Sequence, residues 1–345
     1  MSYELPLQNA ASCPLFRIPD PASFTTVINS LRQRYLLWSS VCPAPLPTTG
    51  LVITPEIRCQ SEMYLPLAEI VPAFRRFYVQ SLSYPPNYSS SPFYGALSWA
   101  DLYLGLPCWL QKGPGPAGLL ELLLSDSSLR ACFLFYSFLP KRYNGAGFGR
   151  YPGQAAWLFH LLSAWRRSGK RSLWSLDAAC GSGEGTWESA EILKKSGWQP
   201  DQVRIEGWTI EPLEVYAAAE QVLPHDLQRQ QSYRQRVGHL QELGWGEPVC
   251  FKAVDLLDCN SSPGVYDLIL CNGLLGGPIL NEPDAVAGVV KTLAEMLSPG
   301  GCLVAASKFH DGWKKKTPEQ LLKGLFELSG LHTEQAGEGI AGIRI

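Results

Sequence analysis

The chain has 345 residues, 46% of them hydrophobic, which is enough apolar material for two cored domains. Its 29 Lys and Arg against 31 Asp and Glu leave a net charge of -2, so the total carries no electrostatic footprint for nucleic acid. No uninterrupted apolar run approaches the roughly 18 residues of a membrane span, the start MSYELPL has no basic leader, and ten cysteines form no C-x-x-C pair, features that predict a soluble cytoplasmic protein with reduced thiols.

Residues 1–140 hold 17 of the 27 prolines and an aromatic cluster from Phe74 to Trp109. Proline at that density breaks long elements, so the prediction is a mainly helical, proline- and aromatic-rich accessory or substrate domain. Its helical pieces are Phe24 to Leu37, Leu67 to Leu82 and an apolar stretch, Gly118 to Phe138. The aromatic cluster reads as this domain's core in preference to a substrate pocket or a partner surface. The segment Gly113 to Gly118, GPGPAG, reads as a loop.

Residues 141–171 form a glycine-rich link, KRYNGAGFGRYPGQ, and a helix from Ala155 to Arg167, placed to cover a ligand. Arg150 is the residue of the link best suited to pair with a carboxylate.

The third region, 172–345, opens with a strand, Leu173 to Leu176, that ends at Asp177. Ala178, Ala179, Cys180, Gly181, Ser182 and Gly183 follow, all small. A helix comes next, with Glu184 in its first turn, Trp187, Ala190 and Leu193 on one face, Lys194 and Lys195 in its last turn, and Gly197 as its stop. Small residues let backbone approach a ligand closely, and free amides at a helix start suit a phosphate or a carboxylate. The turn alone therefore leaves open a dinucleotide and S-adenosylmethionine (SAM). The dinucleotide fingerprint needs glycine where Thr186 stands, whereas Asp177, Gly181, Gly183 and Gly185 follow a D-x-x-x-G-x-G-x-G order that resembles class I methyltransferases.

Further strands are expected at Val203 to Trp208, Val249 to Val254, Tyr266 to Cys271, Cys302 to Ala306, His332 to Ala336 and Ile340 to Ile345. Their alternation with helices predicts an α/β, Rossmann-like class I methyltransferase fold: a mostly parallel seven-stranded sheet closed by a C-terminal antiparallel hairpin at Gly337 to Gly339. Residues 225–244, rich in glutamine and arginine, read as an exposed helical insertion in which Arg229, Arg234 and Arg236 form a solvated face in preference to a partner contact.

In a doubly wound sheet the ligand sits outside the carboxyl ends of the strands. Glu211, two residues beyond Thr209 where an acid usually stands, suits a ribose diol. Asp255 suits an adenine amino group beside Leu256, and Asn272 leaves the sheet toward the methionine or substrate end. Strand-end acids are equally often helix caps or turn formers. The five histidines are scattered without metal-ligand spacing, and no G-x-S-x-G occurs. Tyr143, Tyr151 and His310 are general-base candidates by position only.

Over about residues 144–312 the chain resembles the CheR-type protein-glutamate methyltransferases of bacterial chemotaxis. Phe148-Gly149-Arg150, Ala178 through Glu184, Ile210-Glu211, Asp255-Leu256, Cys271 through Leu274 and Pro299-Gly300-Gly301 stand in that family's order. The resemblance implies SAM as cofactor and Arg150, Ala179, Glu211, Asp255, Leu256 and Asn272 as its contacts, beside Asp177, Ala178, Gly181 and Gly183 of the turn. It implies methyl transfer to a protein side chain, a carboxylate in the family, or to a small molecule. Asn272, Gly273 and Asp255 stand where the family has arginine, asparagine and asparagine. Two rival readings stay open: a catalytically silent SAM-binding or interaction protein, and an NAD-dependent oxidoreductase.

Overall fold

A computed structural model describes residues 13–42, 46–47, 50–111, 113, 115–139, 147–259, 263–306 and 318–345. They divide into two compact units, Met1–Pro140 with Val222–Leu227, and Lys141–Gln221 with Gln228–Ile345.

The first unit is helical: α1 (Thr25–Val41), α2 (Pro55–Tyr64), α3 (Leu67–Ser81), α4 (Trp99–Gly105), α5 (Gly115–Ser125) and α6 (Ser127–Phe138). Local caps set several boundaries. Thr54 accepts from the Ile57 amide before a proline at the first helical position of α2, and Ser98 accepts from the Asp101 amide to start α4. The apolar stretch expected as one helix is two, because Asp126 accepts from the Ser128 and Leu129 amides, both at 2.9 Å, and so restarts the helix. The expected loop at Gly113 to Gly118 is corrected in part. Helix α5 already begins at Gly115, whose φ of +66° and contact with the Tyr35 ring leave no room for a side chain. The core is aromatic, with Tyr78 stacked on Phe133 at 5.7 Å and its hydroxyl 3.0 Å from Ser137 Oγ.

The second unit is built on seven strands: β1 (Leu173–Asp177), β2 (Val203–Thr209), β3 (Val249–Ala253), β4 (Tyr266–Leu270), β5 (Leu297–Ala306), β6 (Leu331–Ala336) and β7 (Gly339–Arg344). Their order is β3-β2-β1-β4-β5-β7-β6; β1 to β5 run parallel, and β7 lies antiparallel to both β5 and β6. This is the Rossmann-like class I methyltransferase topology. Helices α7 (Pro152–Arg167), α8 (Glu184–Lys195), α9 (Pro212–Glu220), α10 (Leu227–Glu242), α11 (Pro283–Met296) and α12 (Glu319–Leu328) accompany it.

The order reverses between β1 and β4. Right-handed crossovers then put α8 and α9 on one face and α11 on the other, which opens a crevice at the carboxyl ends of β1 and β4. Leu176, Ile269, Val290, Leu293, Leu303 and Phe326 are fully buried between sheet and helices. Among the described residues, no helix is long and apolar enough to cross a membrane.

Candidate functional site

The turn after β1 is held mostly by its own chain. Ala178 donates its amide to the Leu270 carbonyl at 2.7 Å and Cys180 to the Trp208 carbonyl at 2.9 Å, so both neighbouring strands fix it. Gly181 and Gly183 take φ of +52° and +89°, values open to glycine at little cost. Asp177 is buried; its carboxylate accepts from Thr186 Oγ1 at 2.8 Å and from the Ala179 amide. Burial pushes it up to about 6, although both hydrogen bonds pull the other way. Asp177 thus clasps the turn to the first turn of α8.

Gly183 corrects part of the sequence reading. A Cβ there would stand 2.6 Å from Ala218 Cβ and 2.8 Å from the Tyr233 hydroxyl, so the close approach at this glycine is made by protein. Helix α8 starts with no side-chain cap, leaving its first amides and the positive end of its dipole at the crevice.

The insertion helix α10 is solvated on one face only. Arg229 donates through Nε to Glu184 Oε1 at 2.6 Å and through Nη2 to Ser182 Oγ at 2.7 Å, while Ser182 Oγ donates to Glu184 Oε2 at 2.7 Å. Glu184 is 1% exposed, so this arginine balances a carboxylate removed from water at the mouth of the turn. Tyr233 donates to the Ser182 carbonyl at 2.9 Å. Arg236 pairs with Glu191 and lies 4.1 Å from the Phe148 ring centroid; Arg234 donates to the Gln221 carbonyl at 3.0 Å. All three arginines are committed to the protein.

The other strand ends converge on the same edge. Glu211 caps α9, its Oε1 accepting from the Leu213 amide at 3.3 Å. Thr209 donates to Glu214, an acid the sequence reading passed over. Burial, with Glu211 and Glu184 nearby, pushes Glu214 up to about 7 against the Thr209 bond and Arg229. Asp255 accepts from the Leu257 amide at 2.9 Å in a turn, and Leu256 is buried in the core. Ile210 and Leu257, by contrast, are 57% and 60% exposed just beyond adjacent strands β2 and β3. Two exposed aliphatic side chains at neighbouring strand ends are suited to the faces of a planar ring.

Asn272 is committed elsewhere. It exchanges two hydrogen bonds with the buried Gln154 of α7, at 2.7 and 3.1 Å, and accepts from the Ala306 amide at 2.9 Å. It joins the ends of β4 and β5 to α7, whose first amides are capped by Glu338 of the hairpin turn at 3.0 and 2.8 Å. Gln154 and Glu338 gave no motif signal. Arg150 lies with its guanidinium 5.4 Å from the Tyr151 ring centroid, and the Gly149 amide beside it donates to Glu188 of α8. Tyr151 is buried near Gly273 at the end of β4. Tyr143 and His310 lie outside the described residues.

Asp177, Ala178, Ala179, Gly181 and Gly183 therefore share one turn, with Glu211, Asp255 and Leu256 at the ends of the two strands beyond it. Among the described residues, no group of three or more His, Cys, Asp or Glu could hold a metal ion.

No family model matches the chain, and no curated protein matches it. Solved structures do. The chain is similar to the [4+2]-cyclase SpnF (20% identity, 52% of this chain and 58% of that one, TM-score 0.35). It is also similar to a SAM-dependent methyltransferase from Aquifex aeolicus (14%, 54% and 89%, TM-score 0.36). A third is the N-methyltransferase NodS from Bradyrhizobium japonicum in complex with S-adenosyl-L-homocysteine (14%, 61% and 97%, TM-score 0.38). The chain spans 58% of the length of SpnF and 62% of that of a protein from Galdieria sulphuraria described as a putative sarcosine dimethylglycine methyltransferase. The fold assignment stands on the strand order and the terminal hairpin.

Proposed function

We propose that the second unit binds SAM at the carboxyl edge of β1, β2 and β3 and transfers its methyl group to a protein side chain or a small molecule. One observation carries this reading: an uncapped helix start follows β1, the strand at which the order reverses, and Glu211 and two exposed aliphatic side chains follow the next two strands, β2 and β3, along the same edge.

The residues present fit the cofactor's chemistry. The α8 amides after Gly183 would take the methionine carboxylate, Glu211 would accept from the ribose hydroxyls, and Ile210 and Leu257 would flank the adenine. The bound cofactor supplies an electrophilic methyl on a positively charged sulfur. The protein's task is then to align and to dehydrate. Asp177 fixes the turn through Thr186 and the Ala179 amide, and Arg229 holds Ser182 and Glu184 in place beside it. Glu214 shares a proton-bearing site with Thr209 and stays partly neutral near neutral pH, which limits the negative charge around the ribose position.

The finer CheR-type reading, transfer to a protein carboxylate, is supported by the motif order from Phe148 to Gly301. Against it, Asn272 has both ends of its amide bonded within the protein, to Gln154 of α7 and to the end of β5, which favours as second reading a protein that binds SAM without transferring its methyl. Incubation with methyl-labelled SAM and a lysate decides between them. The proposal expects label in a protein or a small molecule only when the active chain is present; bound SAM with no transferred label would leave the silent reading.

A further inference from the structure

The start of α8 sets a charge problem for the ligand proposed above. Its first amides have no side-chain cap, which suits a carboxylate, yet the surrounding carboxyls would repel one. Glu184 is the first residue of the helix, and Asp177 accepts from Thr186 in the same turn. Glu214 lies close enough to Glu184 and Glu211 for both to raise it, and Asp177 and Glu214 together raise the Cys180 thiol of the turn.

These acids are not equivalent. Burial pushes Asp177 and Glu214 up to about 6 and about 7, so each carries less than a full charge near neutral pH. Glu184 instead has a cation of its own. It is 1% exposed, and its two oxygens accept from Arg229 Nε at 2.6 Å and Ser182 Oγ at 2.7 Å. Arg229 also reaches Ser182 Oγ at 2.7 Å, so the guanidinium spans the turn and the helix start. It comes from α10, 45 residues along the chain. A charge this far from water is weakly screened, and its balance is felt by whatever docks beside it.

We infer that Arg229 determines specificity at the amino-acid end of the ligand: by cancelling Glu184 at the start of α8 it lets that helix start accept a carboxylate, and the site selects adenosyl ligands that carry one. Arg229 acts through Glu184 and is a positioning residue. The inference rests on the SAM reading and adds to it a selectivity that uncapped amides among several acids would lack.

Isothermal titration of the full-length chain with S-adenosylhomocysteine and its decarboxylated twin, S-adenosyl-3-thiopropylamine, tests it, the readout being the ratio of the two dissociation constants. The parent is expected to prefer the carboxylate form by about tenfold or more. Arg229→Gln leaves Glu184 as an uncancelled negative charge and should shrink that preference about tenfold. Glu184→Gln leaves Arg229 uncancelled and should widen it by a similar factor, and the double variant should return it to the parent's value. Glu184→Gln keeps the side chain's size and an acceptor for Arg229, so it tests the inference even where Arg229→Gln does not fold. A merely structural pair would brace the turn and weaken both ligands alike. An unchanged ratio in Glu184→Gln, or equal affinity of the parent for the two ligands, would therefore overturn the inference. Failure of the folded parent to bind either adenosyl ligand would instead overturn the SAM reading beneath it.

Discussion

Two carboxyls, Asp177 at the end of β1 and Glu214 in the first turn of α9, are held above their ordinary values by burial, at about 6 and about 7. The folded chain therefore binds their protons more tightly than the unfolded chain does. Stability from this source is greatest below the unfolded values, 3.8 and 4.5, and is lost as pH rises through about 6 and about 7. Glu214→Gln keeps an acceptor for Thr209 without the titration, so its melting temperature should fall less than the parent's between pH 5 and pH 8. Identical slopes for parent and variant would show that Glu214 is an ordinary solvated acid. Gly183 supplies a second residue-scale prediction. With φ at +89° and Ala218 Cβ 2.6 Å from a new methyl, Gly183→Ala should cost about 2 kcal/mol or more in urea unfolding. The sequence marked this glycine correctly for its special backbone but suggested a ligand as its neighbour. Tyr233 and Ala218, 50 and 35 residues further along the chain, are the neighbours, and such distant partners have no trace in a local motif.

Helix α10 shows how composition misleads when charge is buried. Its glutamines and arginines predict a solvated face, yet Arg229, Tyr233, Arg236, Val237 and Leu240 fall on one side at helical spacing, and that side packs inward. The apolar positions Tyr233, Val237 and Leu240 were the available signal. The long aliphatic stem of an arginine packs as a hydrophobe does, so its charge alone does not place it in water. Arg229→Ala leaves Glu184 buried without its cation and should cost about 3 kcal/mol, whereas Arg229→Leu combined with Glu184→Gln should restore more than half of that. A single variant within about 0.5 kcal/mol of the parent, the usual effect of a surface change, would return α10 to solvent. The strands were more legible. Five apolar runs separated by helical patterns, then two runs around Gly337, fix seven strands to within a residue or two at most ends. The exception is β5, which begins at Leu297: Leu297 already pairs with Tyr266, and Pro299-Gly300-Gly301, with Gly300 at φ +74°, forms an irregularity before pairing resumes at Cys302.

At the scale of the molecule, two compact units with separate cores predict two calorimetric transitions. Phe133→Ala, which empties a site beside Tyr78, Phe74 and Phe77, should cost about 3 to 5 kcal/mol and lower one transition only. SAM should raise the other. One transition that moves under both treatments would contradict two independently cored units. The parallel sheet was readable because alternation of strand and helix admits few topologies, whereas the first unit's arrangement was not, since short proline-broken helices admit many. The central claim is that the edge of β1, β2 and β3 binds SAM. Calorimetric titration with SAM, S-adenosylhomocysteine and NAD, repeated on Asp177→Ala, tests it most directly. The account predicts saturable binding of both adenosyl ligands, none of NAD, and a clear loss of affinity when the Asp177 clasp on the turn is removed. Heat from NAD alone, or no binding of either adenosyl ligand by a folded chain, would contradict it.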